Sequence, residues 1–270
     1  MIRGAWKCFN VFLLLLLPTP LFVVAAVSVT PDRFLAFPPT GFSLVWYEAF
    51  LANPDWMRAL GVSALIALCA ASLSTAAAVG AALALERARA QRRALAETVI
   101  LAPLIFPHAA VGVAMLGFLL TLHLNGTALG ILIVHAILCG PFAYRPIAVS
   151  LQKIDPAMTE AAMSLGADGR EAFWRVTLPL MRPGIVTSLL FTFIISFDEV
   201  TVTLFLISPN IVTLPVKIWG HIRDNADPVV AAISTLLVLG TLSVVIILER
   251  TVGLQFFVDP EADEERSRAQ

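Results

Sequence analysis

Charge is scarce in this 270-residue sequence: Asp, Glu, Lys and Arg make up 14% of it, against about 25% in an ordinary soluble domain. Hydrophobic residues make up 59%. That balance excludes a water-soluble domain. A formal net charge of −1 gives no electrostatic pull toward nucleic acid. Cysteine is scarce too. Cys8, Cys69 and Cys139 are isolated, in or beside apolar runs, with neither a disulfide framework nor metal-ligand spacing. They read as small apolar core residues. The histidines, His108, His123, His135 and His221, have no second ligand at helical spacing, so no metal site is expected. No glycine loop runs into Lys and Ser/Thr, so this chain is expected to hold no nucleotide. No nucleophile–base set lies within the apolar runs, which argues against an intramembrane enzyme. No internal repeat is evident, which argues against a secondary transporter built on inverted repeats.

Long apolar runs are what the sequence does have. A bilayer core of about 30 Å needs about 20 residues of helix at about 1.5 Å each. Six stretches qualify, at about 9–29, 59–85, 98–120, 128–151, 184–207 and 229–248. They are continuous rather than alternating, so helices and not barrel strands satisfy the backbone in lipid. The expected fold class is therefore all-α: a polytopic membrane protein of six transmembrane helices in one domain over 1–270. Fourteen Lys and Arg residues fall on one side of these spans and four (Arg33, Arg58, Lys217, Arg223) on the other. The richer side is expected to be cytoplasmic. It holds both termini, the 86–97 loop and the 152–183 loop.

Arg3 and Lys7 before the first run, with Ala25-Ala26 near its end, have some likeness to a signal peptide. The run is longer than a usual signal core, and a retained helix is expected. Residues 30–58 form an outer loop with Pro31, Pro38, Pro39, Gly41 and Pro54, and Phe42–Leu51 suits a short interfacial helix with Trp46 and Tyr47 at headgroup level. Pro103 and Pro107 are expected to kink the third span, and Pro141 and Pro146 the fourth. Gly61, Ser72, Ala76 and Gly80 in the second allow close helix approach. The tail Asp259–Gln270 is charged and expected to fray.

The 152–183 loop is polar between two greasy runs. Asp155-Pro156 suits a helix start, Asp as cap and Pro in the first turn. Met158, Ala161, Ala162 and Leu165 recur at helical spacing and form one apolar stripe. Gly166 stands where a helix stops. Asp168 and Glu171 have capping-box spacing for a second helix, with Phe173, Trp174 and Val176 on its apolar side and Pro179 at its expected end. A short amphipathic pair of this kind either fills a groove on a partner or lies on the bilayer. Glu160 beside two alanines makes a small anionic patch, ill suited to an anionic membrane surface.

The spacing within this loop is specific. Glu160-Ala161-Ala162, three residues, Gly166, nine residues, Val176, one residue, Leu178-Pro179 resembles at every fixed position the signature of permease subunits of bacterial ABC importers. Val176 takes the slot usually held by Ile. The resemblance implies a type I importer permease fold, with this loop as the coupling helix that docks on a cytoplasmic ATPase. Glu160, Ala161, Ala162 and Gly166 would make the docking turn, and Leu178-Pro179 would restart the chain toward the fifth span. It also implies partners: a second, homologous permease chain, two ATPase subunits that carry the ATP and Mg, and a periplasmic solute-binding protein. The chain itself would be a non-catalytic transport subunit of the bacterial inner membrane.

Ser196-Phe197-Asp198-Glu199-Val200 and Leu214-Pro215-Val216-Lys217-Ile218-Trp219 are similar to segments of the spermidine/putrescine permease branch. The implied solute is a polyamine or related small amine. Permeases for 4-aminobutyrate, aminoethylphosphonate, iron(III) and oxyanions share parts of the pattern. Asp198 and Glu199 lie within the fifth apolar run, where an ionised side chain costs about 2.5–3.5 kcal/mol at a span centre. Three readings stand: a cationic solute's path, an ion pair between helices, or a helix that ends early and leaves both groups wet. Asp198 with Thr201, or Glu199 with Thr203, are possible one-face sets. Lys217, Trp219, His221 and Arg223 line the last outer loop, as an outer gate, a binding-protein contact or an interfacial anchor.

Overall fold

The computed structural model describes residues 2–225 and 227–252. The expected fraying tail, Asp259–Gln270, lies outside them. Among the described residues the chain is helical, with one isolated bridge between Ser208 and Ile211 and no strand ladder. Thirteen α-helices follow in order: α1 Ile2–Leu16, α2 Thr19–Ser28, α3 Val45–Ala52, α4 Pro54–Glu86, α5 Ala90–Leu101, α6 His108–Thr121, α7 Ala128–Gln152, α8 Pro156–Ser164, α9 Gly169–Ala172, α10 Leu178–Leu180, α11 Arg182–Phe197, α12 Leu214–Asp224 and α13 Val229–Val252. The packing divides into two units, Met1–Leu60 with Val216–Ser243, and Gly61–Pro215 with the segment from Val244.

Four stretches are long and apolar enough to cross a bilayer as single helices: Phe9–Ser28, Pro54–Glu86, Ala128–Gln152 and Val229–Ile247. Two more do so only as bent pairs, Ala90–Leu104 with His108–Thr121 and Gly169–Leu180 with Arg182–Phe197. The third apolar run is therefore no single kinked helix. Pro103 sits in a 3₁₀ turn and Pro107 precedes His108, and the two halves meet at 101°. Proline brings no N–H to the ladder and its ring crowds the preceding turn, so two prolines four apart end one helix and start another. The fifth run is corrected too. Its helix stops at Phe197 rather than Ile207. Sixteen residues at about 1.5 Å reach only about 24 Å, so the chain finishes this run as an elbow, 198–206, with a single 3₁₀ turn at Thr203–Phe205.

Pro141 and Pro146 lie inside α7, and the helix continues through both. Neighbouring helices tolerate such prolines in membrane spans by re-satisfying freed backbone groups. Here α7 is gripped on two sides. Ser74 Oγ donates to Ala136 O at 2.9 Å, and Cys139 Sγ reaches Thr192 O at 3.4 Å. Thr75 and Ser188 hydroxyls meet at 2.8 Å between α4 and α11. Gly184 brings α11 onto α7, since a Cβ there would lie 2.7 Å from Pro146 O and overlap Ser150. The buried face of α4 is Ser63, Ala67, Ala70, Ala71, Ser74, Thr75, Ala78 and Ala82. Gly61, Ser72, Ala76 and Gly80, the small residues singled out by sequence, lie on its exposed side.

In the second unit, one core cluster gathers Ile66, Leu119, Ile131, Val134, Leu138, Val202 and Leu206. The other gathers Ala78, Ala82, Ala143, Tyr144, Ile147, Leu151 and Met181. In the first unit the 30–44 loop is closed by Asp32, whose carboxylate accepts from Thr30 and Thr40 hydroxyls at 2.8 Å. Trp46 Nε1 donates to Asp32 O, and Tyr47 shares its hydroxyl with Ser28.

Candidate functional site

The loop after α7 folds as its caps dictate. Asp155 Oδ1 accepts from Ala157 N at 2.9 Å and opens α8 at Pro156. The helix ends on paired bonds, Gly166 N to Met163 O at 3.0 Å and Ala167 N to Ala162 O at 3.1 Å. That pattern needs a left-handed residue between them, and Gly166 has φ 98°. Asp168 Oδ1 then accepts from Glu171 N at 2.7 Å and opens α9.

Pro179 does not end this second helix, contrary to the sequence expectation. The chain passes through a π-turn at Phe173–Thr177 and on through α10. Pro179 has no N–H to offer Arg175 O, and a widened turn just before it accommodates the gap. The break comes at Met181, where α11 departs at 63°. So the restart lies at Arg182-Pro183, four residues beyond Leu178-Pro179.

No residue of α8 is buried. Leu165 is 91% exposed, and Met158, Met163 and Trp174 are each about half exposed. Glu160 and Ala161 are exposed, Ala162 half-buried. The apolar stripe of α8 thus faces largely outward with Trp174, while Phe173 and Val176 are half-buried. Beside it, a cleft of about 380 Å³ is lined by Glu86, Arg87, Thr159, Glu160, Met163 and Phe173, among others.

The second candidate cluster is the elbow after α11. Asp198 is the C-cap and exposed, with no hydrogen bond or ion pair to its carboxylate among the described residues. Glu199 is engaged on both oxygens. Oε1 accepts from Val202 N at 2.8 Å, and Oε2 lies 3.3 Å from His108 Nδ1 at the start of α6. A carboxylate is favoured at that helix end. Thr203 is fully buried and Thr201 exposed. The one-face helical sets do not form, because none of these four residues lies in an α-helix.

Sequence reasoning dismissed two residues here. His135 Nδ1 meets Ser196 Oγ at 2.8 Å, and its Nε2 meets Thr203 Oγ1 at 2.9 Å. His108 pairs with Glu199 as above. The available signal was the cost of a polar ring inside an apolar run, which demands partners, not metal spacing.

Lys217, Trp219, His221 and Arg223 lie on a helix, α12, rather than in an open loop. Each is already in contact. Lys217 Nζ stands 5.0 Å over the buried Trp56 ring, and the His221 ring is 5.3 Å from Trp56. Arg223 stacks 5.5 Å over Trp219, and His221 Nε2 lies 2.9 Å from Asp227.

The family model for binding-protein-dependent transport system inner membrane components matches residues 75–250, a stretch that holds the exposed loop, the elbow and α12. This chain belongs to that family. The putrescine transport system permease protein PotI of Escherichia coli K12 is 30% identical over 257 residues, 90% of this chain and 89% of that one. PotC of Haemophilus influenzae, a spermidine/putrescine transport system permease, is 27% identical over 84% of this chain and 88% of that one. PhnV of Salmonella typhi, named for 2-aminoethylphosphonate transport, is 30% identical over 86% and 88%. Among solved structures, a chain of a bacterial ABC transporter that imports alginate superposes with a TM-score of 0.68 at 18% identity, covering 93% of this chain and 96% of that one. The same kind of transporter with a ligand-bound periplasmic protein gives 0.69 at 14%, covering 93% and 94%. The family's fold is thus that of type I importer permeases, and the chain is a multi-pass inner-membrane permease.

Proposed function

We propose that this permease forms half of the pathway of an ATP-driven importer for a polyamine or a related small amine. One observation carries the mechanical part: a capped helix pair that exposes Met158, Met163, Leu165 and Trp174, with none of α8 buried. Such a surface suits a groove on a partner protein. The partner is an ATPase subunit, and the cleft beside Glu160 receives part of it. Two such ATPases hold the ATP and Mg, and this chain holds neither. A second, homologous permease completes the pathway, and a periplasmic binding protein delivers solute to the opposite side. Both termini face the cytoplasm with the loop, in keeping with the Lys and Arg count. Nucleotide and solute each favour one of two permease states, and the helix pair links the two equilibria.

The solute class rests on relatives named for putrescine and spermidine and on one free carboxylate. Asp198 is unpaired among the described residues, where an ammonium group can use it. Glu199 is held by Val202 N and His108 and serves the elbow's shape. An unpaired buried cation is costly, and a carboxylate on its route lowers that cost. Lys217, Trp219, His221 and Arg223 form the outer gate or the contact with the binding protein. PhnV supports a second reading, in which the solute is an aminophosphonate.

Deleting the gene and measuring uptake of labelled putrescine, spermidine and 2-aminoethylphosphonate tests this. Polyamine uptake is expected to fall and to return with the intact gene. Intact polyamine uptake with loss of the phosphonate would overturn the first reading and favour the second. In the restored strain, Asp198→Asn is expected to raise the half-saturating polyamine concentration about tenfold or more, the size of a lost charge-assisted bond. Glu199→Gln keeps the acceptor for Val202 N and is expected to do less.

A further inference from the structure

The elbow that carries Asp198 is bracketed by one buried imidazole. Thr203 has a single hydroxyl proton, and it goes to Glu199 O at 2.8 Å. At His135 Nε2, 2.9 Å away, the same hydroxyl oxygen must therefore accept, so Nε2 carries the ring proton. Nδ1 of the neutral ring accepts from the Ser196 hydroxyl at 2.8 Å. Every polar atom of the set is thereby used. His135, Ser196 and Thr203 are all buried.

The sequence positions matter. Ser196 is two residues before Asp198 and Thr203 is five after it. His135 belongs to α7, which packs along α11 and is anchored to it through Cys139 and Thr192. Between the two brackets the segment is held by Val202 N to Glu199 Oε1 and Leu204 N to Val200 O, by the Glu199–His108 pair and by the buried Val202 side chain, none of which reaches Asp198 itself. Among the described residues nothing bonds to the Asp198 carboxylate, so it goes where the elbow puts it.

We propose that His135 is a positioning residue for solute recognition: bonded to Ser196 and Thr203 on either side of Asp198, it fixes the elbow that presents this carboxylate. His135 need not touch solute. The proposal rests on the reading of Asp198 as a solute carboxylate. It assigns the ring a neutral state with the proton on Nε2, and it makes Thr203 a structural residue rather than a pathway one.

The test uses the complete importer, with its partner subunits, in lipid. His135→Leu removes both brackets, Thr203→Val the distal one and Ser196→Ala the proximal one. Amide exchange of the peptide covering 198–207 is expected to quicken about tenfold for each bracket lost, the usual effect of a buried hydrogen bond. The half-saturating concentration of putrescine is expected to rise with it, while the maximal rate changes much less. His135→Gln, which keeps a donor near the Nε2 position, is expected to recover most of both readouts. If His135→Leu fails to insert, the Thr203 and Ser196 variants carry the test alone. Unchanged exchange in every variant that inserts would overturn the proposal. So would faster exchange with an unchanged half-saturating concentration, which is the mark of a purely structural histidine. Asp198→Asn distinguishes the two possible failures. If it leaves uptake unchanged, the pathway reading has failed and the proposal with it. If it impairs uptake while His135→Leu does not, the proposal alone has failed.

Discussion

Replacing Gly166 with Val isolates the backbone's part in coupling. At φ 98° an L side chain is strained, yet a Cβ built there meets nothing within 4 Å. The whole effect is therefore conformational and not a clash. Holding a non-glycine residue in such a region costs about 1–3 kcal/mol. The turn between α8 and α9 carries two bonds across this residue, so the strain opposes the very geometry that sets the two helices at their angle. A bias of about 1–3 kcal/mol changes a two-state population about 5- to 150-fold. Solute uptake and solute-stimulated ATP hydrolysis by the complete importer are expected to fall together within that range, with the protein's membrane abundance nearly unchanged. Gly169 separates backbone strain from added bulk on the same helix pair. It is equally open and has no unusual φ, so Gly169→Ala is expected to lower both rates much less than Gly166→Val does. The reasoning fails if Gly166→Val transports normally, or if Gly169→Ala does the same damage.

Other outcomes can be measured directly. Gly184→Val pushes a branched side chain into Pro146 O and Ser150 on α7, and overpacking of this kind costs about 1–3 kcal/mol; a lower thermal unfolding midpoint of the purified permease is expected, and an unchanged midpoint contradicts the packing. The Thr40 and Thr30 hydroxyls hold the Asp32 carboxyl below the usual carboxylate range. A group whose folded value is depressed contributes its stability above the unfolded value and loses it as pH falls through the folded one. Amide exchange over 31–44 is therefore expected to quicken only at pH below the ordinary carboxylate range, and Asp32→Asn should remove that pH step.

Much of the loop was legible because its signals are local. Asp155-Pro156, Gly166 and Asp168 each act on the next three or four residues, and each does so in the structure. The shape of the broken spans was not legible. Hydropathy counts apolar residues and is blind to direction, so a right-angle break at Ile105–Pro107 and a helix ending at Phe197 both read as continuous runs. Proline alone did not settle it either, since Pro107 breaks its span and Pro146 does not. What separates them is packing: α7 lies against α11 and α4, which bond to it at Cys139 and Ala136. Asp198 and Glu199 looked alike in sequence. Their difference comes from His108, some ninety residues away, and from a backbone N–H exposed only because the helix stops.

The central claim, that the helix pair at 156–180 is the surface gripped by a separate ATPase, has a direct test. Leu165 is 91% exposed at the tip of the turn. In a chain with Leu165→Cys, a short thiol crosslinker applied to the complete importer is expected to join this residue to the ATPase subunit, with a yield that changes when ATP is added. A cysteine at this position that is never captured by the ATPase, with or without nucleotide, while uptake proceeds normally, would contradict the account.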